Sequence, residues 1–344
     1  MVESGLAGRR KPTSADVARA AGVSQSTVSY VLTGKRPISE ETRRRVEGAI
    51  AELGFVPNSG ARTLAGRRSH VIGLMIPFRA GVEISANLAF VGEIAAIARK
   101  ADHDVLLVTS DEGPAGLSRL RDSGMCDGLI LMDVEARDPR VEAARGLGVP
   151  CVVIGVPDDR SGLSCVDLDF EAAGGDAVSL LVGRGRDVIG LVSPGPHGER
   201  GEMSFTRRFV AGAEASARDR AELVAASADP DFGSLARAVD SILSARPDCR
   251  AFAVHMSSAV EPVLAILRAR GLEPGVDVDV VGVCDEDVAA RNRTALDALV
   301  LQPERVSAEA MDALFCQIDG TRAVGTRLEL VAAPVVTRGG AALS

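Results

Sequence analysis

Residues 13–32 read TSADVARAAGVSQSTVSYVL and carry the signals of two short helices joined by a tight turn. Thr13, followed three residues later by Asp16, forms a capping-box pair in which each side chain accepts a hydrogen bond from the other residue's backbone N–H. Gly22 lies where a turn between helices needs a left-handed residue, and Ser24 is placed to cap a second helix. This stretch predicts a helix-turn-helix.

A third helix completes a compact three-helix head. We predict the second helix from Gln25 to about Leu32 and the third from Ser39 onward, each with apolar positions recurring on one stripe. The alternative to a DNA-binding head is a three-helix protein-interaction bundle, and the polar face of the second helix favours DNA. The residues expected to face the interior are Val28, Val31, Leu32, Val46, Ile50 and Leu53.

The exposed face of the second helix carries side chains suited to DNA. In a helix-turn-helix the first turn of the second helix enters the major groove, and its exposed positions here are Gln25, Ser26, Ser29 and Tyr30. Glutamine makes a bidentate contact with adenine, and serine bonds to several base edges. Groups at the helix ends and the following turn are expected to hold phosphates, namely those at Thr13, Ser24, Thr27, Lys35 and Arg36.

Charge is distributed unevenly along the chain. Residues 1–68 contain 12 Lys and Arg against 6 Asp and Glu, a net charge of +6. The whole chain has 39 basic and 47 acidic residues, so the remaining 276 residues hold 27 and 41, a net charge of −14. An acidic protein with a basic head indicates that only the head approaches a polyanion.

Length and composition exclude several classes of protein. A chain of 344 residues exceeds a single domain of roughly 100–200 residues. It has no apolar run of about 18 residues and no leader layout, so a cytoplasmic protein without a membrane partner is expected. The six scattered cysteines predict reduced thiols rather than disulfides or metal ligands. No catalytic triad, P-loop or dinucleotide motif occurs in context, so neither a catalytic residue nor a cofactor is predicted.

After His70, short apolar runs alternate with helical stretches. Strands separated by helices at this spacing indicate parallel sheets covered on both faces. About ten such units are too many for one compact domain, so we predict an α/β core of two lobes. The apolar runs lie at 71–76, 105–109, 128–132, 151–154, 188–192, 251–254 and 278–283, with helices such as 87–100, 170–182 and 259–270 between them.

The head resembles the headpiece of the lactose/galactose-repressor (LacI/GalR) family. The resemblance lies in residues 13–29, in Glu-Leu-Gly-Phe-Val-Pro-Asn at 52–58 and in Leu-Ala-Gly at 64–66. The resemblance implies a hinge helix, from Asn58 as its cap to Gly66, which folds on the operator. A helix of nine residues is too short to be stable alone in water. Leu64 would be a wedge in the minor groove, and the neighbours lining that groove would be Ala61, Arg62 and Thr63.

The resemblance extends loosely to the C-terminus, through Val71–Pro77, Asp127–Ile130, Val149–Gly155, Val166–Asp169, Val280–Val283 and Gln302–Pro303. It implies two periplasmic-binding-protein-like lobes, joined by three crossovers, with a small-molecule cleft at the carboxyl ends of the strands. The implied domains are a disordered lead-in at 1–12, a helix-turn-helix domain at 13–57, a hinge at 58–68 and the core at 69–344. The positions matching the family's effector site are Phe78, Asp169, Arg208 (or Arg207), Phe232, His255, Cys284 and Gln302.

Several of these positions depart from the family's sugar-binding pattern. His255-Met256 stands in place of an Asn-Asp pair, and Cys284 stands in place of an aspartate. These changes remove much of the bidentate hydrogen bonding that selects a polyol. Two interpretations stay open: a less polar or anionic effector, with Arg208 and His255 near its charge, or a core that binds no small molecule and only dimerises. No second His or Cys stands at metal-ligand spacing from His255.

The resemblance also implies how the protein assembles on DNA. One head reads about half a site, so a homodimer on an inverted repeat in double-stranded DNA is expected. The helix at 87–100 and one helix of the C-terminal lobe are the implied contact surfaces. No leucine heptads follow Arg338, so no tetramerising tail is predicted. Repression modulated by a small-molecule effector is the expected output, and a solute-binding protein is the alternative from another class.

Overall fold

The structure is a computed structural model, and it describes residues 12–33, 36–55, 68–77, 84–109, 111–195, 203–321, 327–338 and 342–343. The chain divides into two compact units: the first reaches Val71 and includes residues 119–127, and the second contains the rest. None of the helices in the described ranges has the length and apolar character that a membrane span requires.

The head contains three helices within its described residues: α1, Ser14–Ala21; α2, Gln25–Thr33; and α3, Glu40–Leu53. The predicted capping box is present, since Thr13 N donates to Asp16 Oδ2 at 2.9 Å and Asp16 N donates to Thr13 Oγ1 at 3.4 Å. Ser24 Oγ accepts from Thr27 N at 3.1 Å at the start of α2, and Ser39 caps α3 in the same way. Local signals in the sequence therefore fix where each helix of the head begins.

The turn between α1 and α2 depends on Gly22, whose φ is +62°. A β-carbon at this position would lie 2.9 Å from Nη2 of Arg45. That guanidinium, which belongs to α3, donates to the carbonyl oxygens of Ala21 at 2.5 Å and Gly22 at 3.1 Å. The third helix thus satisfies the open C-terminal end of the first. The buried interior of the head consists of Val17, Ala18, Ala21, Val28, Val31, Val46, Ala49 and Phe55.

The first sheet of the core is built from β1, Val71–Met75; β2, Asp104–Val108; β3, Gly128–Leu131; β4, Cys151–Ile154; β5, Ser164–Leu168; and β11, Leu328–Val331. Its order is β11-β5-β4-β3-β1-β2. The central strands are buried along their whole length because helices cover both faces. The helices that connect these strands or precede β11 are α4, Ile84–Lys100; α5, Pro114–Ser123; α6, Pro139–Arg145; and α12, Pro303–Ile318.

The second sheet is built from β6, Val188–Pro194; β7, Glu222–Ala228; β8, Ala251–Val254; β9, Asp279–Cys284; β10, Asp297–Val300; β12, Val335–Val336; and β13, Ala342–Leu343. Its order is β13-β12-β10-β9-β8-β6-β7. The pairings of β11, β5, β4, β3 and β1 in the first sheet are parallel, as predicted. The last two strands of the second sheet run antiparallel, so the expectation of a parallel sheet is corrected there, and that sheet is mixed. The short link between β12 and β13 cannot supply the crossover that parallel pairing requires. The helices of this lobe are α7, Phe170–Gly183; α8, Ser204–Ala217; α9, Phe232–Ala245; α10, Ser257–Ala269; and α11, Glu286–Arg291.

The chain passes between the two sheets three times, as predicted. It leaves the first sheet after β5, returns to it after β10 through α12, and leaves again after β11 for β12. The α12 helix packs on β3, β4 and β5, although it follows a strand of the other sheet. Each lobe is therefore completed by a segment distant in sequence.

Helices α7 and α8 approach each other closely because glycines face each other at their contact. A β-carbon on Gly174 would lie 2.0 Å from the carbonyl oxygen of Phe209, and one on Gly212 would lie 1.9 Å from that of Glu171. No side chain fits between the two backbones at these points. This contact positions the candidate site described below, because α7 and α8 carry the three phenylalanines around His255.

Two buried carboxylates at the amino ends of β9 and β10 are neutralised by arginines. Arg184 Nη2 donates to Asp297 Oδ1 at 2.8 Å, and Arg186 Nε donates to Asp279 Oδ2 at 2.6 Å. Arg338, beyond β12, donates to Asp279 as well. The guanidinium groups hold the pKa of Asp279 below its usual value against the effect of burial. This cluster ties the C-terminal segment to the second sheet.

Candidate functional site

The head exposes a cluster of hydroxyl groups at the start of α2. Ser24 Oγ lies 2.8 Å from both Ser26 Oγ and Thr27 Oγ1. Ser24 and Ser26 are exposed, and Thr27 is half-buried. A helix N-terminus with free N–H groups and hydroxyls is a site for phosphate or for base edges.

Gln25 is held in a defined position beside this cluster. Its Nε2 donates to Ser14 Oγ at 2.8 Å, across the turn from α1, and the residue is exposed. One turn further along α2, Ser29 is exposed and Tyr30 is half-buried. The guanidinium of Arg36 lies 5.8 Å from the centroid of the Tyr30 ring, within the range of a cation–π contact.

The structure thus brings the described members of the predicted DNA-binding set onto or beside one helix. Thr13, at the start of α1, uses its hydroxyl in the capping box, and it donates to Asp16 Oδ2 at 2.6 Å. The remaining predicted positions lie outside the described residues and stay predictions: Lys35, Asn58, Ala61, Arg62, Thr63 and Leu64, and in the core Phe78.

The core contains a cavity of about 120 Å³ at the carboxyl ends of the strands of both sheets. Segments that follow β3, β4, β5, β6, β8 and β10 contribute to its wall. Methionine, phenylalanine and aliphatic side chains form most of its described wall. The polar residues on it are Asn87, Asp133, Asp167, Ser204, His255, Ser257 and Gln302. Its described residues include Asn87, Phe90, Met132, Asp133, Ile154, Asp167, Leu168, Phe170, Met203, Ser204, Phe205, His255, Met256, Ser257, Leu301 and Gln302.

His255 is the central polar residue of this wall, and it is 3% exposed. Its ring stacks on Phe209 with centroids 4.2 Å apart and an interplanar angle of 4°. Phe170 and Phe205 meet it edge-on at 5.4 and 5.6 Å. Neither ring nitrogen has a hydrogen-bond partner in the described part of the chain. Burial lowers the pKa of His255 to about 3, so the ring is neutral at physiological pH.

Two hydroxyls at the start of α8 are also buried without a hydrogen-bond partner among the described residues, those of Ser204 and Thr206. Ser204 lines the cavity and Thr206 does not. Ser257, also on the wall, is satisfied, because its hydroxyl donates to Asp285 Oδ2 at 2.9 Å. Ser204 therefore resembles His255 in three ways: it is buried from bulk solvent, it lines the cavity, and it has a hydrogen-bonding atom without a partner among the described residues.

Arg208 does not present its charge to the cavity. Its Nη1 donates to Asp167 Oδ2 at 2.8 Å and its Nη2 to the carbonyl of Leu168 at 3.2 Å. Burial raises the pKa of Asp167 to about 7 although the guanidinium opposes this shift. Arg207 pairs instead with Asp158 at the surface. Of the two arginines weighed from sequence, Arg208 is nearer the cavity but is already engaged.

The other predicted effector residues separate into two groups. Gln302 lies on the cavity wall, where its Nε2 donates to the carbonyl oxygen of Leu301 at 3.2 Å. Asp169 caps α7 through Ala172 N at 3.1 Å. Phe232 begins α9 with 56% of its surface exposed. Cys284 is buried at the end of β9, with the pKa of its thiol raised to about 12 by burial, so it is an unreactive thiol at neutral pH. None of the last three lines the cavity.

Sequence reasoning missed several wall residues, notably Met132, Met203, Ser204 and Phe205. They follow β3 or begin α8 after β6, which is where the carboxyl-end rule places ligand contacts. The same rule applied to every strand would have found them. The pairing of Asp167 with Arg208 carries no local signal, because the two residues are 41 positions apart.

A helix-turn-helix head followed by a two-lobed α/β core with a cavity at the strand ends defines a class, the ligand-sensing transcription regulators. The comparisons with known proteins agree. A family profile described as "Bacterial regulatory proteins, lacI family" matches residues 13–58, and one described as "Periplasmic binding protein-like domain" matches residues 178–340. Over residues 13–58 the chain therefore resembles the lacI family of bacterial regulatory proteins.

Named relatives align with nearly the whole chain or with about half of it. The HTH-type transcriptional regulator CelR of Thermobifida fusca is 28% identical over 341 residues, which are 94% of this chain and 96% of that protein. The HTH-type transcriptional regulator AglR of Rhizobium meliloti (strain 1021) is 36% identical over 185 residues, 51% of each protein. These relatives are named as transcription regulators, and the family resemblance inferred from the sequence is confirmed.

Solved structures share the fold. The Lac repressor dimer bound to operator and the anti-inducer ONPF has a TM-score of 0.75 at 23% identity, covering 96% of this chain and 99% of that one. The complex of the transcriptional regulator CelR with cellobiose has a TM-score of 0.68 at 24% identity, covering 96% of this chain and 100% of that one. The prediction of a three-helix head followed by a two-lobed core is confirmed.

Proposed function

We propose that this regulator binds a palindromic operator as a homodimer and that a small molecule in the core cavity modulates its affinity for DNA. The observation that carries the DNA-binding part is the exposed, preorganised row of Gln25, Ser26 and Ser29 on α2. The hydrogen bond from Gln25 Nε2 to Ser14 Oγ leaves the amide oxygen and the second N–H for a base. Repression is the proposed output and no enzymatic activity is proposed.

The dimer is proposed to form through α4 and through exposed apolar residues of the first lobe. Leu88 on α4 is 50% exposed, and Leu328 and Leu330 are partly exposed on β11, an edge strand of the first sheet. Apolar side chains in these places are suited to a subunit interface. A two-fold axis would place two heads on the halves of an inverted repeat.

Direct binding of an inverted-repeat duplex from the region upstream of this protein's own gene tests the proposal. We expect fluorescence anisotropy of the labelled duplex to report specific binding whose affinity falls steeply with salt. Gln25→Ala is expected to weaken binding to the specific site by about 1–3 kcal/mol, with little effect on random DNA. Arg36→Ala is the matched contrast. Loss of a phosphate contact is expected to weaken binding to the specific site and to random DNA alike, and to lower the slope of log affinity against log salt concentration by about one.

The hinge is tested separately. Leu64→Ala is expected to reduce the affinity for the operator far more than that for non-specific duplex, since only the operator complex contains a wedge at its centre. Equal losses on both duplexes would contradict the wedge role and leave the role of α2 standing. If the full chain binds neither duplex in a salt-dependent way, the DNA-binding proposal fails.

The second candidate is the same DNA-binding dimer without a small-molecule effector. The size of the cavity favours it, because about 120 Å³ is below the roughly 300–1,000 Å³ of common ligand pockets. The unpartnered polar atoms of His255 and Ser204 favour the effector, because such atoms cost stability unless something binds them. A compound that raises the stability of the core by binding to it would favour the effector. The compound should change the affinity for the operator by the same factor by which the operator changes the affinity for the compound.

A further inference from the structure

Methionine and phenylalanine side chains form a large part of the described cavity wall. Met132, Met203 and Met256 lie on it together with Phe90, Phe170 and Phe205. Methionine and phenylalanine give a polarizable, adaptable surface for apolar groups and rings. A polyol needs several paired hydrogen-bonding groups to balance the desolvation of its hydroxyls.

Two neutral, buried residues of the described wall have hydrogen-bonding atoms without a partner. His255 is 3% exposed and Ser204 is 1% exposed, and the His255 nitrogens and Ser204 Oγ have no partner within the described ranges. Ser257 and Gln302, also on the wall, each make a hydrogen bond within the protein. Asn87 and Asp133 add an amide and a carboxylate to the described wall. The neutral, buried atoms that a ligand could use are those of His255 and Ser204.

No free cation faces the cavity among the described wall residues. The guanidinium of Arg208 is bound to Asp167 and to the carbonyl of Leu168, and the imidazole of His255 is neutral at physiological pH. A carboxylate or phosphate ligand would enter without a counter-charge, at a high desolvation cost. The anionic effector considered from the sequence loses the two positive groups on which it depended.

We propose that the cavity binds a small, neutral, mainly apolar ring compound whose single polar group uses the unpartnered atoms of His255 and Ser204. This inference rests on the proposed effector role of the cavity and adds the chemical class of the effector. The volume of about 120 Å³ corresponds to one six-membered ring, since an apolar cavity of about 150 Å³ holds benzene. Organic anions are the class that the described wall disfavours most, because no free cation faces the cavity there.

The methionine methyl groups report directly where a compound binds. In the full-length protein labelled with [methyl-13C]methionine, we expect 4-methylphenol to shift the signals of Met132, Met203 and Met256 through the field of its ring. Met75 and Met311, which are buried outside the cavity, serve as internal controls and are expected not to move. Cellobiose and benzoate, at the same concentrations, are expected to leave all five signals in place.

Three variants separate the polar contacts from general packing. Ser204→Ala and His255→Phe are each expected to weaken 4-methylphenol binding by about two- to tenfold, the typical effect of losing one hydrogen bond. Thr206→Val is the matched control, because Thr206 has a buried, unpartnered hydroxyl on the same helix but does not line the cavity. It is expected to bind 4-methylphenol like the parent protein.

Each alternative result has a definite meaning. Shifts of the cavity methionines by cellobiose or benzoate, or no shift with 4-methylphenol, would overturn the assigned ligand class. Equal binding by the parent protein, Ser204→Ala and His255→Phe would overturn the assigned contacts. Operator binding, measured by anisotropy in the same samples, is independent of these results, so failure of the ligand class is distinguishable from failure of the proposed regulator function.

Discussion

The head and the cavity handle their polar side chains in opposite ways. On α2 the hydroxyls of Ser24, Ser26 and Thr27 are at the surface and hydrogen-bonded to one another. In the cavity, the polar atoms of His255 and Ser204 are buried and have no partner within the described residues. The first arrangement costs the folded state little, whereas the second lowers the free energy of unfolding.

The two arrangements of polar groups differ in what a binding partner would change. Surface groups that satisfy each other can exchange these bonds for bonds to DNA, because water competes for them in either state. The buried groups have no partner among the described residues, so a ligand that hydrogen-bonds to them would offset their desolvation penalty. We therefore expect substitutions in the head to affect DNA affinity with small effects on core stability. Substitutions in the cavity are expected to trade stability against ligand response.

The largest expected effect breaks the support of the cavity. Gly212→Ala places a β-carbon 1.9 Å from the carbonyl oxygen of Glu171, which forces α7 and α8 apart and moves the phenylalanines around His255. We expect a loss of about 3 kcal/mol or more in the free energy of unfolding by urea. Gly183→Ala on α7 is the control, because nothing lies within 4 Å of its β-carbon position. Similar destabilisation by both substitutions would contradict the close-contact explanation.

His255→Phe tests whether the buried imidazole costs stability. At pH 8 we expect the variant to be more stable than the parent protein by about 1–2 kcal/mol, since two unpartnered polar atoms are removed. In the unfolded parent protein, His255 takes up a proton as the pH falls through its ordinary pKa of 6.5. In the folded protein, burial lowers the pKa of His255 to about 3, so the ring stays neutral at higher pH. The advantage of the variant should therefore grow by about 1.4 kcal/mol per pH unit as the pH falls from 6.5.

Urea unfolding of both proteins between pH 8 and pH 4.5 measures this difference. Asp133 and Asp167 also lie on the cavity wall, but they are present in both proteins, and their contribution cancels to first order. If the difference in the free energy of unfolding stays constant with pH, His255 takes up its proton over the same pH range in the folded and unfolded states, which would contradict the lowered pKa.

A smaller effect is expected in the head. Gly22→Ala combines a left-handed backbone, at φ +62°, with a contact of 2.9 Å to Arg45 Nη2. We expect the free energy of unfolding of the head to fall by about 2 kcal/mol. Operator binding should weaken, and the stability of the core should stay the same. Gly54→Ala carries the same strain at φ +60° without a close neighbour, and it should cost about 1 kcal/mol less. Hydrogen exchange of the α1–α3 amides measures both; equal losses would argue against a role for the Arg45 contact.

The smallest effect concerns the cap of α1. Thr13→Ala removes the hydroxyl that accepts from Asp16 N at 3.4 Å. We expect a loss of about 0.5–1 kcal/mol in head stability and no change in core unfolding, again measured by amide exchange. Thr13→Ser keeps the hydroxyl and should restore the cap; a serine variant as unstable as the alanine variant would remove the capping explanation.

The sequence was most informative where the determining contacts are local. The caps at Thr13, Ser24 and Ser39 and the turn at Gly22 act within three or four residues, and the helix starts they predicted are confirmed. The edge strand β7 was not predicted, because its half-exposed, alanine-rich stretch lacks a clear alternation of apolar and polar residues. The antiparallel β12 and β13 were missed because two-residue strands carry no periodic signal.

For the cavity, the sequence supplied candidates, and the fold decided which of them meet. His255 and Gln302 follow β8 and β10 and reach the wall, whereas Phe232 begins α9 and stays at the surface. The sequence by itself determined the helix-turn-helix and the alternation of strands and helices, because both depend on near neighbours along the chain. Only the tertiary structure decided that Arg208 is bound to Asp167 and that His255 is enclosed by Phe170, Phe205 and Phe209 without a hydrogen-bond partner. Those contacts join residues from separate elements, and a buried charge or ring takes its chemistry from what packs around it.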